Sequence, residues 1–198
     1  MIKSFLNFFI EQSAHPTGLI GNRLTKIWNK VFDRMTNWGL EIVEIKEGDI
    51  LLDVACGGGE TLNKLAKIGT KGKVYGIDFS SEAVKSSIKR NQCLVNDGKV
   101  IITQADAAAL PFLDQMFDLV TTIQTHMYWN NLKKGYEEIY RVLKENGKLL
   151  IIAEKYKVNY HMEAYKTDED MIKLLKDIGY ENIQKRESRS WIEYIAIK

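Results

Sequence analysis

Apolar side chains in the first part of the chain recur at steps of three and four. Leu24, Ile27, Val31, Met35, Trp38 and Ile42 fall on one helical face. The stretch before them, MIKSFLNFFIEQSAH, reads as a shorter amphipathic helix, set apart by His15-Pro16-Thr17-Gly18. Asn7 and Glu11 interrupt its apolar run and no small-residue cleavage site follows, so it is not read as a secretion signal. From residue 50 the period changes. Apolar runs at 50–55, 73–78, 100–106, 117–124 and 148–155 predict five strands, with helices between them at 60–68, from Ser80 or Ser81 to about Gln92, and from Leu132 to just before Asn146-Gly147. Thr167-Asp168-Glu169-Asp170 opens another helix, which Gly179 stops, and 182–189 and 191–198 read as a closing antiparallel pair. Strands alternating with helices predict an α/β fold, a seven-stranded, mostly parallel sheet covered on both faces, behind an N-terminal helical segment at 1–45.

Composition narrows the class without naming a function. The chain has 198 residues, 45% of them hydrophobic and 27% charged, as expected for one globular unit at 46–198 with an appendage. Its 28 basic and 26 acidic side chains leave a net charge of +2, so charge offers no reason to expect nucleic acid or an anionic membrane as partner. No apolar run is longer than a short strand such as Leu149–Ala153, so membrane insertion is not expected. Two cysteines, Cys56 and Cys93, do not make a disulfide framework, and a reducing cytoplasm is the natural location. No cluster of His, Cys and carboxylates has metal-ligand spacing, so no metal is expected. Monomer and homodimer stay equally open.

Parallel sheets bind ligands beyond the carboxyl ends of their strands, where strand order reverses. Four segments stand there. Asp53-Val54-Ala55-Cys56-Gly57-Gly58-Gly59 is a glycine-rich turn before a helix, where a ligand can approach the backbone closely. Asp78-Phe79 ends strand two, roughly 20 residues later, a spacing that suits a carboxylate bonded to ribose hydroxyls with an aromatic ring beside a purine. Asp106-Ala107 ends strand three, where a carboxylate and a backbone amide could read the edge of a heterocycle. Gln124-Thr125-His126-Met127-Tyr128-Trp129 ends strand four and is dense in polar and aromatic groups. Each has a plainer explanation alone: a tight turn, a helix cap, a core ring, a structural histidine. Their conjunction at successive strand ends points to a nucleoside-like ligand. Gly57 and Gly59 are not followed by the third glycine of the dinucleotide pattern, nor by the Gly-Lys-Ser/Thr of a phosphate loop.

At these segments the chain resembles the class I S-adenosylmethionine-dependent methyltransferases, over about residues 48–155. LDVACGGGET looks like their first motif, YGIDFS like their ribose-binding motif and QADAAALPF like their adenine-edge motif. The look is that of the small-molecule branch with the ubiquinone and menaquinone enzymes. Ala55 departs from the family, which often has glycine there. The resemblance implies a Rossmann-like fold, S-adenosyl-L-methionine as cofactor, a helical lid at the N-terminus, and in-line methyl transfer to a small-molecule acceptor. It implies that Asp53 anchors the amino-acid end of the cofactor, that Ala55, Gly57 and Gly59 make room for its methionine part, and that Asp78 and Phe79 hold ribose and adenine. Asp106 and Ala107 would read the adenine edge, and the Gln124 backbone would meet the ammonium. His126 is the candidate base, and Tyr128 with Trp129 would shape the acceptor pocket. The Asn- or Asp-Pro-Pro-Tyr segment of amino-directed DNA enzymes and the Pro-Cys nucleophile of cytosine-C5 enzymes are both missing. A non-catalytic binder of the same cofactor and a nicotinamide-dependent enzyme are the alternatives, the latter disfavoured by the missing third glycine.

Overall fold

The structure, a computed structural model, describes residues 31–69 and 71–198. The chain divides into two units, one up to Ile42 and one from Val43 to Lys198. In the first, residues 31–40 are helical, and most of the expected helical segment at 1–45 lies outside the described residues.

In the second unit the expected sheet forms. Its strands are β1 (Leu51–Val54), β2 (Val74–Asp78), β3 (Val100–Gln104), β4 (Phe117–Ile123), β5 (Leu143–Glu154), β6 (Glu181–Glu187) and β7 (Trp191–Ile197), in the order β3-β2-β1-β4-β5-β7-β6. All pairings are parallel except those of β7, which runs antiparallel to both β5 and β6. β1 is buried along its whole length because helices cover both faces, which is why LLDV reads as an unbroken apolar run save one carboxylate. The chain steps outward from β1 to β2 and β3, then returns to the other side of β1 as β4. Connections after β1 and β4 therefore leave in opposite directions and open a crevice between them.

The helices are α1 (Glu60–Ile68), α2 (Ser81–Arg90), α3 (Gln92–Asn96), α4 (Leu132–Val142), α5 (Lys155–His161) and α6 (Asp168–Ile178), with a 3-10 turn at His126–Tyr128. Three of them start on side-chain caps. Ser80 accepts from the Ala83 N–H, Asn131 from that of Lys134 and Thr167 from that of Asp170. Leu62 and Leu65 of α1 and Tyr136 and Ile139 of α4 are fully buried, as their three- and four-residue spacing requires. The Tyr180 hydroxyl donates to the Tyr136 carbonyl at 3.1 Å inside this core.

Three features differ from the sequence reading. The helix expected from Ser80 to Gln92 breaks at Asn91, whose side chain is spent on other backbone groups. β5 begins at Leu143, directly after α4, and takes its turn at Asn146 (φ 63°) before pairing continuously with β4 from Lys148. The stretch after β5, for which the apolar pattern predicts no element, forms the short helix α5.

Candidate active site

The glycine-rich turn owes its shape to three residues in left-handed conformation: Ala55 (φ 58°), Gly57 (φ 51°) and Gly59 (φ 78°). Alanine tolerates this poorly, so the turn holds Ala55 in strain. A side chain at Gly59 would collide with Ser87 Oγ and Asn91 Nδ2, so glycine is required there by packing as well as by φ. Asn91, buried on α2's C-terminal side, donates through Nδ2 to the carbonyls of Gly59 (3.0 Å) and Ser87 (3.0 Å) and accepts from Asn63 Nδ2 (3.1 Å). Arg90 holds the same turn from outside, donating to the Gly58 carbonyl (2.8 Å) and pairing with Glu60 (2.5 Å). Neither anchor was singled out from the sequence. The only hint was that an Asn and an Arg close an amphipathic helix next to the turn.

Asp78 ends β2 beside this turn. Its Oδ2 accepts the Gly57 N–H (2.8 Å) and its Oδ1 the Ser80 N–H (2.9 Å). Each oxygen keeps a further lone pair, so the carboxylate is held in one orientation and can still accept two hydroxyls. Phe79 is 73% exposed, which excludes a core role for it. Gln104 Nε2 fixes its carbonyl at 3.0 Å. Asp106 Oδ1 accepts the Ala108 N–H (2.8 Å), closing a small turn after β3 that leaves Ala107 nearly buried. Arg141 braces the rest of that connection through the carbonyls of Leu110 (3.0 Å) and Phe112 (2.8 Å).

These groups surround one cavity of about 410 Å³. Ala55 and Gly57 line it from the first turn, Asp78, Phe79 and Ser80 from the second, and Asp106 and Ala107 from the third. Thr125, Tyr128 and Trp129 close it from the segment after β4. Trp129 lies against α4 where Gly135 has no side chain, and its ring centroid is 5.3 Å from that of Tyr136. Tyr128 is 55% exposed, and its hydroxyl stands 3.5 Å from His161 Nε2.

Four residues expected at the site lie off this lining: Gly59, which packs against Ser87 and Asn91, and Asp53, Gln124 and His126. Asp53 is buried on β1, opposite Thr121 of β4, whose hydroxyl donates to its Oδ1 at 2.6 Å. Burial lifts its carboxyl from the ordinary 3.8 to about 7, against the pull of Thr121 and with a small push from Asp78. Gln124 (φ 61°) turns its side chain onto Glu154 at the end of β5. Its Nε2 donates to Glu154 Oε2 (2.6 Å) and its Oε1 accepts the Glu154 N–H (2.7 Å). His126 is buried, and the structure places it in the lining of a different cavity. Burial lowers its imidazole to about 4, so it is neutral at physiological pH but weakly basic. Cys56 remains a thiol, pushed up to about 12 chiefly by burial.

The chain is similar to known proteins in sequence and in fold. A family model described as "Methyltransferase domain" matches residues 45–194. The 2-phytyl-1,4-naphtoquinone methyltransferase of Trichormus variabilis is 29% identical over 135 residues, covering 62% of this chain and 59% of that protein. The demethylmenaquinone methyltransferase of Lactobacillus johnsonii is 35% identical over 111 residues, covering 56% of this chain and 46% of that protein. The chain thus spans between about half and two thirds of the length of the curated relatives it matches. Among solved structures, a SAM-dependent methyltransferase from Aquifex aeolicus superposes with a TM-score of 0.69 at 25% identity, over 82% of this chain and 88% of that one.

Proposed function

Because the chain belongs to this methyltransferase-domain family, we propose that it transfers a methyl group from S-adenosyl-L-methionine to a small-molecule acceptor by in-line displacement. The observation that carries the reading is the convergence of Gly57, Asp78, Phe79, Asp106 and Ala107, from three successive strand ends, on one cavity of about 410 Å³. That lining fits a nucleoside bearing an amino-acid arm. Asp78 offers two oriented acceptors for ribose hydroxyls, Phe79 an exposed ring for the purine, and Asp106 with the Ala107 amide an acceptor and a donor for its edge. The glycine turn leaves open space at Gly57 for the arm. Asp53, behind that turn, would meet the ammonium through water, and that cation would favour its ionised form against the push of burial; the Gln124 backbone would meet the same group.

The cofactor, when bound, supplies a methyl group already made electrophilic by its sulfonium. What this chain must add is alignment of the acceptor, exclusion of water and a place for any proton released. Thr125, Tyr128 and Trp129 line the same cavity from the segment after β4 and would shape the acceptor's approach. Burial raises the Tyr128 phenol, so it stays protonated, while burial and Lys157 lower His161, which stays neutral. Tyr128 can therefore pass a proton from an acceptor hydroxyl to the imidazole beside it. The names of the curated relatives make a reduced naphthoquinone ring the first acceptor to try. Two free cysteines, one of them exposed, suit a reducing cytoplasm. Incubating the protein with methyl-labelled S-adenosylmethionine and a panel of reduced naphthoquinones tests the reading. Label in a ring product supports it. Cofactor binding without label in any product would favour a non-catalytic binder instead.

A further inference from the structure

Beyond the 3-10 turn lies a second cavity, of about 310 Å³, sharing no lining residue with the first. Its size falls in the ~300–1,000 Å³ range of small-ligand sites. Val158 of α5, Met171 of α6, and Ile192 and Tyr194 of β7 give it an apolar and aromatic wall, and Tyr165 adds a further ring. Three charged groups of its lining are already paired: Lys155 with Glu187 at 2.7 Å, and Asp168 with Lys185, while Asp168 also accepts the Tyr194 hydroxyl at 2.6 Å. Lys166 and Glu169 line it as exposed side chains. A charged group seated against Lys155, Asp168 or Glu187 would have to break these pairs.

One buried polar side chain in the lining is not matched. His126 is 2% exposed, and its Nδ1 has no hydrogen-bond partner among the described residues. Unsatisfied buried polar atoms are few in folded proteins and each asks for an explanation. The low basicity of this buried imidazole keeps it neutral, with one N–H to donate and one lone pair to offer.

We propose that this second cavity is a ligand site separate from the cofactor cavity, taking a small uncharged aromatic molecule whose hydroxyl or carbonyl oxygen hydrogen-bonds to His126. The proposal does not depend on methyl transfer, since it rests on a different cavity. The turn joins the two sites, because Tyr128, two residues on, lines the cofactor cavity.

Calorimetric titration of the full chain with 2-naphthol tests this, with naphthalene-2-sulfonate as the charged control. The account expects 2-naphthol to bind in the presence or absence of S-adenosylhomocysteine, and the sulfonate to bind at least about tenfold more weakly. His126→Leu should weaken 2-naphthol by at least about tenfold, a loss of the size expected for one hydrogen bond. Ile192→Phe, which fills the cavity and leaves His126 in place, should abolish binding while the thermal transition stays cooperative. Should His126→Leu fail to fold, the Ile192→Phe result decides alone. No heat up to the solubility limit would overturn the proposal. So would undiminished binding to Ile192→Phe, tighter binding of the sulfonate, or displacement of 2-naphthol by S-adenosylhomocysteine.

Discussion

Replacing Asp53 with asparagine should remove a pH dependence of stability that one buried carboxyl creates. In the folded chain this group titrates near 7, against an ordinary 3.8, because burial penalises its charged form. The folded state therefore favours the protonated acid more than the unfolded chain does. The group's contribution to stability is full below pH 3.8 and is lost as pH rises through 7. Each pH unit between the two values is worth about 1.4 kcal/mol, so the loss approaches about 4 kcal/mol at high pH. Integrated from about pH 5.5 to about pH 8.5, it amounts to roughly 2 kcal/mol. At this chain length that is about 4–8 °C in melting temperature. The amide that Asp53→Asn introduces can still accept the Thr121 hydroxyl but cannot ionise. Melting curves of the wild type and Asp53→Asn at both pH values isolate the effect, since every other titrating group is common to the two. The wild type should lose roughly 2 kcal/mol more than the variant across this range. Parallel losses would mean that Asp53 is hydrated or otherwise compensated, and the reasoning would fail.

Other consequences follow from the same turn. Ala55→Gly removes a left-handed alanine, a strain of about 1–2 kcal/mol, and adds unfolded-state freedom worth about 0.5–1 kcal/mol. Denaturant melts should show a net gain of about 0.5–1 kcal/mol, and a loss would show that the turn is not strained. Gly59→Ala meets both the Ser87 and Asn91 side chains and a φ of 78°, and should cost roughly 1–3 kcal/mol in the same assay. Asn91→Ala strips a buried donor from the Gly59 carbonyl and should cost about 1–3 kcal/mol. It should also weaken cofactor binding in titration, whereas a change in stability alone would make Asn91 a packing residue only.

The sheet was legible because the period of the apolar positions changes at residue 50. Mostly apolar runs such as LLDV fit strands covered on both faces, and the polar residues closing them mark the strand ends where the site had to lie. Asp78, Phe79, Asp106 and Ala107 could be placed on this ground alone. What escaped the sequence depends on contacts distant along the chain. Nothing local says that Asn91 would be drawn from its helix to the Gly59 carbonyl 32 positions away. Helix α5 was hidden because it is short, rich in tyrosine and lacks a side-chain cap. His126 and Tyr128 looked equivalent after β4, yet a single 3-10 turn sends them to different cavities. A spacing of two residues decides that only once the backbone geometry is known.

The central claim is that the cavity at the ends of β1, β2 and β3 is built for S-adenosylmethionine. Calorimetric titration of the wild type and Asp78→Ala with S-adenosylmethionine, with NAD⁺ as the control ligand, tests it most directly. The account predicts micromolar binding of the sulfonium to the wild type, a loss of at least about tenfold in Asp78→Ala, as expected for removing hydrogen bonds to a charged group, and no binding of NAD⁺. Binding of NAD⁺ in its place, or binding of the sulfonium that Asp78→Ala leaves unchanged, would contradict it.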